Sequence, residues 1–240
     1  DIMVVLEAHT EENIDNLVAA KQKLIDLGYK IYNVDYDDDL ASRTNCYTNR
    51  LSMMFLSKYP INNFKTIKLG NLRNCMIANI KINDKIVRFI GIHLDDRLEE
   101  TRVRQINDLT KEIDKSNMPT VVMGDFNAMH GDDLWPARFL KTKLSKLLSQ
   151  IIIPSFYKRV IGMAQGKTLY NLENNTNLID IDNKHKPTTT PKIRDFEFLP
   201  SIRLIQIDHI YASKYIKIKG FSISADGGAD HRAISSIISI

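Results

Sequence analysis

Residues 121–127 read VVMGDFN, an apolar run that ends on Gly124, Asp125, Phe126 and Asn127. Side chains two apart on an extended segment point the same way, so Asp125 and Asn127 should share a face while Phe126 turns into the core. Gly124 lets another group approach the backbone closely. An acid and an amide projecting together from a strand end suit a metal-bound water and a phosphate oxygen. Asp and Asn are also ordinary turn residues, so a capped strand-to-loop turn is the plain alternative. Further along, residues 203–211 (RLIQIDHIY) form an apolar run with Asp208 inside it. A buried carboxylate is costly unless paired. Gly227, Gly228 and Ala229 then lead into Asp230 and His231, a hard oxygen ligand beside an imidazole, or simply a polar loop before an edge strand. His93 ends the apolar run 89–94, and Glu7 follows the opening run IMVVL.

These side chains need elements to position them. Residues 1–6 read as a buried strand, and the spacing of Ile14, Leu17, Val18, Leu24 and Ile25 predicts a helix that starts at the Thr10 cap and stops at Gly28. Strands are predicted over 30–36, 51–57, 64–69, 73–82 and 85–94, with Asn83 and Asp84 as a two-residue hairpin turn. Val103, Ile106, Leu109 and Ile113 mark one face of a helix over 97–115. A strand over 120–123 follows, then a helix over 134–148 with Pro136 in its first turn. Residues 149–200 give no clear pattern. Strands over 203–213, 215–224 and 233–240 close the chain. Strands adjacent in sequence outnumber βαβ units, which favours mixed or stacked sheets in one domain spanning 1–240.

Taken in order, Glu7, the Ile-His-Leu around His93, Gly124-Asp125-Phe126-Asn127, the Ile-Asp-His-Ile around Asp208 and the Ala-Asp-His-Arg around His231 resemble the endonuclease/exonuclease/phosphatase (DNase I-like) superfamily. Residues 51–61 (LSMMFLSKYPI) are similar to that family's strand ending in LSRYPI. The resemblance covers essentially the whole chain. It implies a four-layer α/β/β/α sandwich, an α/β (α+β) fold of two packed mixed sheets with outer helices. It also implies a hydrolase of phosphate esters that uses Mg²⁺ or Mn²⁺. Carried over by position, Glu7 and Asp230 become metal ligands, and Asp125 orients or deprotonates the attacking water. Asn127 holds the scissile phosphate, and His231 binds the phosphate or acts as acid or base. Asp208 fixes the tautomer of His231, and His93 is a second phosphate-side histidine. The apurinic-site repair branch carries tyrosine near the His93 position. The Ile-His-Leu form is closer to the nuclease, sphingomyelinase-like and tyrosyl-DNA phosphodiesterase branches. The family places an asparagine-bearing strand before the Glu7 strand, so residues 1–240 are expected to be a piece of a longer chain lacking that first strand.

Other polar residues are set aside. His209 should face the side opposite Asp208 and is given a structural role. His9, His130 and His185 are placed in loops, Trp135 in packing, and Arg50 and Arg73 at solvated strand starts. The chain of 240 residues is 43% hydrophobic and 26% charged, the balance of a folded globular domain. Two cysteines exclude a disulfide framework or a Cys-based zinc site. No apolar run approaches the roughly 18 residues of a spanning helix. Residues 136–220 carry 15 basic and 6 acidic groups, while residues 1–60 carry 6 and 10. That local basic excess suits a phosphate-rich partner, with nucleic acid favoured and no obligate protein partner evident. An inositol phosphate, a lipid headgroup, or a catalytically inactive phosphate-binding protein are the alternatives.

Overall fold

The computed structural model describes residues 1–7, 14–34, 53–70, 73–113, 117–131, 161–182, 184–189, 205–225 and 229–240. Thr10, His9, Arg50, Trp135 and the expected helix over 134–148 lie outside them. The strands are β1 (Ile2–Leu6), β2 (Lys30–Val34), β3 (Met53–Ser57), β4 (Ile61–Leu69), β5 (Arg73–Ile82), β6 (Lys85–His93), β7 (Thr120–Asp125), β8 (Leu178–Asp180), β9 (Asp208–Ser213), β10 (Lys217–Ile223) and β11 (Ile234–Ser239). The helices are α1 (Ile14–Asp26), α2 (Glu99–Ile113) and α3 (Lys167–Asn175).

A six-stranded sheet in the order β4-β5-β6-β7-β9-β8 forms the centre. Its alternating residues build two different cores, as the two-residue period of a strand requires. On one face, Met76, Ala78, Val87, Phe89, Val121, Ile210 and Ala212 pack with Met53 and Phe55 of the sheet β1-β3-β2, and Ile218, Ile234 and Ile238 of the β10-β11 pair join them. On the other face, Cys75, Ile77, Ile90, Ile92, Phe126 and Tyr211 pack against Ile106, Leu109 and Ile113 of α2 and Leu169 and Leu172 of α3. This is the expected sandwich of two packed sheets with helices outside.

Local chemistry explains the boundaries that matter. Asp95 Oδ1 accepts the N–H groups of Arg97 and Leu98 at 2.9 and 2.8 Å, which turns the chain out of β6 and into α2. Glu99 and Glu100 occupy the first turn of α2, where the helix dipole favours anions. Glu99 does more than that. Its carboxylate accepts from fully buried Arg102 at 2.9 Å and from the Thr168 N–H at the start of α3 at 3.0 Å, so it holds the two helices together. The expected strand over 203–213 begins only at Asp208, because Ile205 instead bridges to Thr189. Within the unreadable stretch, α3 and the three-residue β8 appear, and β8 forms the sheet edge beside β9.

Candidate active site

Of the described strand pairs in the central sheet, β6 and β7 run parallel, so both end at the same edge. Strand β9 runs antiparallel to β7 and begins at that edge. The register places His93 beside Asp125 and Asp125 beside Asp208, three functional side chains in one row across three adjacent strands. Parity puts all three on the face packed against the second sheet: Val87 and Phe89 precede His93 there, Val121 precedes Asp125, and Ile210 follows Asp208.

Gly124 makes the row possible. Its φ is 143°, and a Cβ added there would lie 2.0 Å from the Ile92 carbonyl oxygen of β6. Any other residue would push β7 away from β6 one position before Asp125. Strand β7 stops at Asp125, so Asn127 does not reach the site by strand alternation as the spacing suggested. It enters through a turn with φ 48°, a left-handed conformation that Asn tolerates. Its N–H donates to Asp125 Oδ1 at 2.7 Å, and its side-chain amide donates to Asp125 Oδ2 at 3.2 Å and to the Leu94 carbonyl at 3.1 Å. The Phe126 side chain between them is buried in the helix-side core, as expected.

His231 is delivered by the segment before β11. Its Nδ1 lies 2.9 and 3.1 Å from the two oxygens of Asp208, which also accepts the Thr188 hydroxyl at 2.6 Å. Asp125, Asp208 and His231 each offer a ligand atom within 4.8 Å of the others. His93 Nε2 is 3.7 Å from Asp125 Oδ2.

Burial raises the Asp125 pKa to about 7, and the charge of Asp208 adds to the rise. Burial opposes a charge on His231, but the Asp208 hydrogen bond and charge outweigh it and lift its pKa to about 9. Burial, helped by the charges of Arg73 and His231, holds His93 well below the ordinary histidine range, so its ring is neutral. The site therefore combines a carboxyl that titrates near neutrality, an imidazolium and a neutral imidazole.

Two contributors were not anticipated. Arg73, read as a solvated strand start, is only 6% exposed, and its Nη2 sits 3.5 Å from Asp96. Thr188, one of three consecutive threonines, has a hydroxyl that the run itself gave no reason to single out. Among the described residues, Arg73 Nη1 and His93 Nδ1 are buried without a hydrogen-bond partner. The remaining predicted residues lie differently. Glu7 follows β1 with φ 53° and an exposed side chain. Asp230 is exposed too, and its backbone carbonyl accepts the Thr189 hydroxyl at 2.8 Å. Neither belongs to the Asp125-Asp208-His231 group. His209 is fully buried on the opposite face, edge-on to the Phe126 ring, where sequence parity placed it.

No curated protein sequence matches the chain. Its fold is shared by an endonuclease/exonuclease/phosphatase from Bacteroides vulgatus, with a TM-score of 0.64, 17% identity, and 100% of this chain and 85% of that one covered. It is shared by a 3′ phosphatase, NExo, from Neisseria bound to a product DNA hairpin, with a TM-score of 0.65, 13% identity, and 100% and 89% covered. It is shared as well by D. rerio TDP2 complexed with a single-strand DNA product, with a TM-score of 0.62, 12% identity, and 100% and 86% covered. The sequence itself matches the Endonuclease/Exonuclease/phosphatase family over residues 1–235. With that match spanning nearly all of the chain, the protein belongs to this family of phosphate-ester hydrolases, which typically depend on a divalent metal.

Proposed function

We propose that the protein is a Mg²⁺-dependent phosphodiesterase or phosphatase that hydrolyses a phosphate ester by attack of water, with nucleic acid as the favoured substrate. The observation that carries this reading is the convergence of Asp125, Asp208 and His231 within 4.8 Å at one edge of the sheet. A base and a cationic acid side by side are what ester hydrolysis at phosphorus asks for.

Asp125, with a pKa near 7, accepts a proton from the attacking water. Asn127 donates its side-chain amide to Asp125 Oδ2 and to the Leu94 carbonyl, which fixes the orientation of the acid. Asp208 holds His231 through Nδ1, which leaves Nε2 for the phosphate or the leaving oxygen. His93 and Arg73 present their unpaired buried nitrogens as donors suited to a phosphate oxygen.

The donor chemistry fits a hard cation. Carboxylate oxygens dominate, and Cys75 lies in the helix-side core with its thiol pushed up to about 12 by burial. Mg²⁺ keeps several waters, so one or two protein carboxylates suffice, and Glu7 and Asp230 are the residues we assign to it. When bound, the ion polarises a phosphoryl oxygen and offsets developing charge.

Two observations favour nucleic acid: two structurally similar proteins are bound to DNA products, and residues 136–220 carry a charge excess of +9. The test is a hydrolysis panel of plasmid DNA, single strands, 5′-tyrosyl DNA, inositol phosphates and sphingomyelin, each with Mg²⁺ and with EDTA. DNA hydrolysis that stops in EDTA is expected. Full activity in EDTA overturns the metal assignment, and turnover of inositol phosphates or sphingomyelin alone overturns the substrate class.

A further inference from the structure

Behind the catalytic row, on the helix side of the same sheet, a second group of side chains converges. His130 lies three residues past Asn127, Asp180 ends β8, and His185 sits in the 184–189 segment. Each offers a ligand atom, and the three atoms lie within 4.8 Å of one another. His130 Nε2 is 3.1 Å from Asp180 Oδ2, and the His130 and His185 rings stack with centroids 4.1 Å apart and planes 6° from parallel. His130 and His185 are partly open to solvent, and the Asp180 side chain lies largely buried beneath them.

The surroundings orient each of these groups. His209 Nδ1 meets Asp180 Oδ2 at 2.7 Å, and its Nε2 meets the Ala128 carbonyl at 3.0 Å. The Asp182 N–H donates to Asp180 Oδ1 at 2.9 Å. On the far side of the His130 ring, Glu173 Oε1 is 3.9 Å from Nδ1, and the Tyr211 hydroxyl holds the same Glu173 oxygen at 2.9 Å. The Asp182 carboxylate accepts the Lys184 and Lys186 N–H groups that flank His185, at 3.0 and 2.9 Å.

We propose that His130, Asp180 and His185 form a binding site for a borderline divalent cation such as Zn²⁺, separate from the catalytic centre. Two imidazoles and one carboxylate are a donor set that selects such ions over Mg²⁺, which prefers oxygen ligands throughout. Glu173 stands on the distal side of the His130 ring at 3.9 Å, where its negative charge favours a cation bound through the other ring nitrogen. The two rings stack nearly parallel, so the His185 ring rotates for both imidazoles to aim at one ion. A cation here ties the loop that follows Asp125 and Asn127 to the segment that brings Thr188 to Asp208. The role is structural support of the catalytic row from behind.

The test uses the full chain stripped of metal. Zn²⁺ is titrated in competition with a chromophoric chelator, and Co²⁺ binding is followed by its visible absorption. One equivalent per chain that depends on His130 and His185 is expected, in addition to any ion at the catalytic centre, with the intense bands of a four-coordinate Co²⁺ site and a Zn²⁺-dependent rise in Tm. His185→Ala and His130→Ala should each weaken binding at least about tenfold, on the scale of lost metal-site groups, while Asp125→Asn keeps it. Binding that survives both histidine substitutions, or that is lost in Asp125→Asn, overturns the proposal, as does an absence of binding at millimolar Zn²⁺ and Co²⁺. Should His130→Ala fail to fold, the wild-type Co²⁺ spectrum and the half-buried His185→Ala variant still decide it. Because the readout is binding, the result is independent of whether the protein hydrolyses DNA.

Discussion

The two faces of the central sheet carry the same kinds of side chain at the β7–β9 edge and treat them in opposite ways. Asp208 and His209 are neighbours in sequence, and the strand sends them to different faces. On one face, Asp208 pairs with the half-buried His231, and the adjacent Asp125 is left with burial and a like charge that push its pKa up to about 7. On the other, Asp180 is also largely buried, yet hydrogen bonds from His130, His209 and the Asp182 N–H outweigh that burial and hold its carboxyl below the ordinary carboxylate range. On the first face His93 Nδ1 is buried without a partner, whereas both ring nitrogens of His209 on the second are occupied. A satisfied network stabilises, and an unsatisfied one is poised to act on a ligand. An Asp-His pair alone does not fix the chemistry; its neighbours decide.

Substitution can break that contrast. Asp125→Asn keeps the shape and removes the charge, so kcat should fall by on the order of 10²–10⁴. The same change removes a carboxyl whose pKa is raised by folding. Such a group contributes stability at low pH that is lost as pH rises through about 7. Asp125→Asn should therefore melt no lower than wild type at pH 8, and any advantage should shrink below pH 7. A melting scan at the two pH values checks it. A loss in kcat of less than about tenfold would make Asp125 a turn residue only.

The histidines give the next contrast. His231→Ala should abolish most turnover. His209→Ala removes one of the three hydrogen bonds to Asp180 and leaves a cavity in place of a fully buried ring, so its main effect should be a loss of stability of about 2–4 kcal/mol. Urea unfolding and steady-state kinetics on both variants separate the faces, and equal catalytic losses at unchanged stability would show the separation to be wrong.

A smaller effect sharpens the electrostatics. Asp208 raises the pKa of both Asp125 and His231. Asp208→Asn should therefore move both limbs of the pH–rate profile to lower pH. Limbs that stay in place would mean that Asp208 does not set these protonation states.

Much of this architecture was legible in the sequence. The hairpin from β5 to β6 and the turn at Asn83, which adopts φ 54°, followed from alternation and turn chemistry. Asp125, Asp208 and His231 were legible because small residues and apolar runs flank them, and because their order resembles a family. Arg73 was not, since nothing local distinguishes a strand-start arginine in water from one enclosed by distant elements. The second cluster was hidden for the same reason. His130 and His185 are 55 positions apart, and the three-residue β8 that brings Asp180 between them is too short to give a periodic signal. Asn127 comes to lie beside Asp125 through a left-handed turn and two hydrogen bonds, which strand alternation does not foretell.

The central claim is that Asp125 and His231 form one catalytic pair, base and acid, on the face away from His209. The most direct measurement is the pH dependence of kcat for a chromogenic phosphodiester with Mg²⁺, in wild type and in Asp125→Asn. Asp125 must be ionised and His231 protonated, so wild-type kcat should rise through about pH 7 and fall through about pH 9. Asp125→Asn should lose the rising limb along with most of its rate. A wild-type profile with no limb near neutrality, or a rising limb that persists in Asp125→Asn, would contradict the assignment.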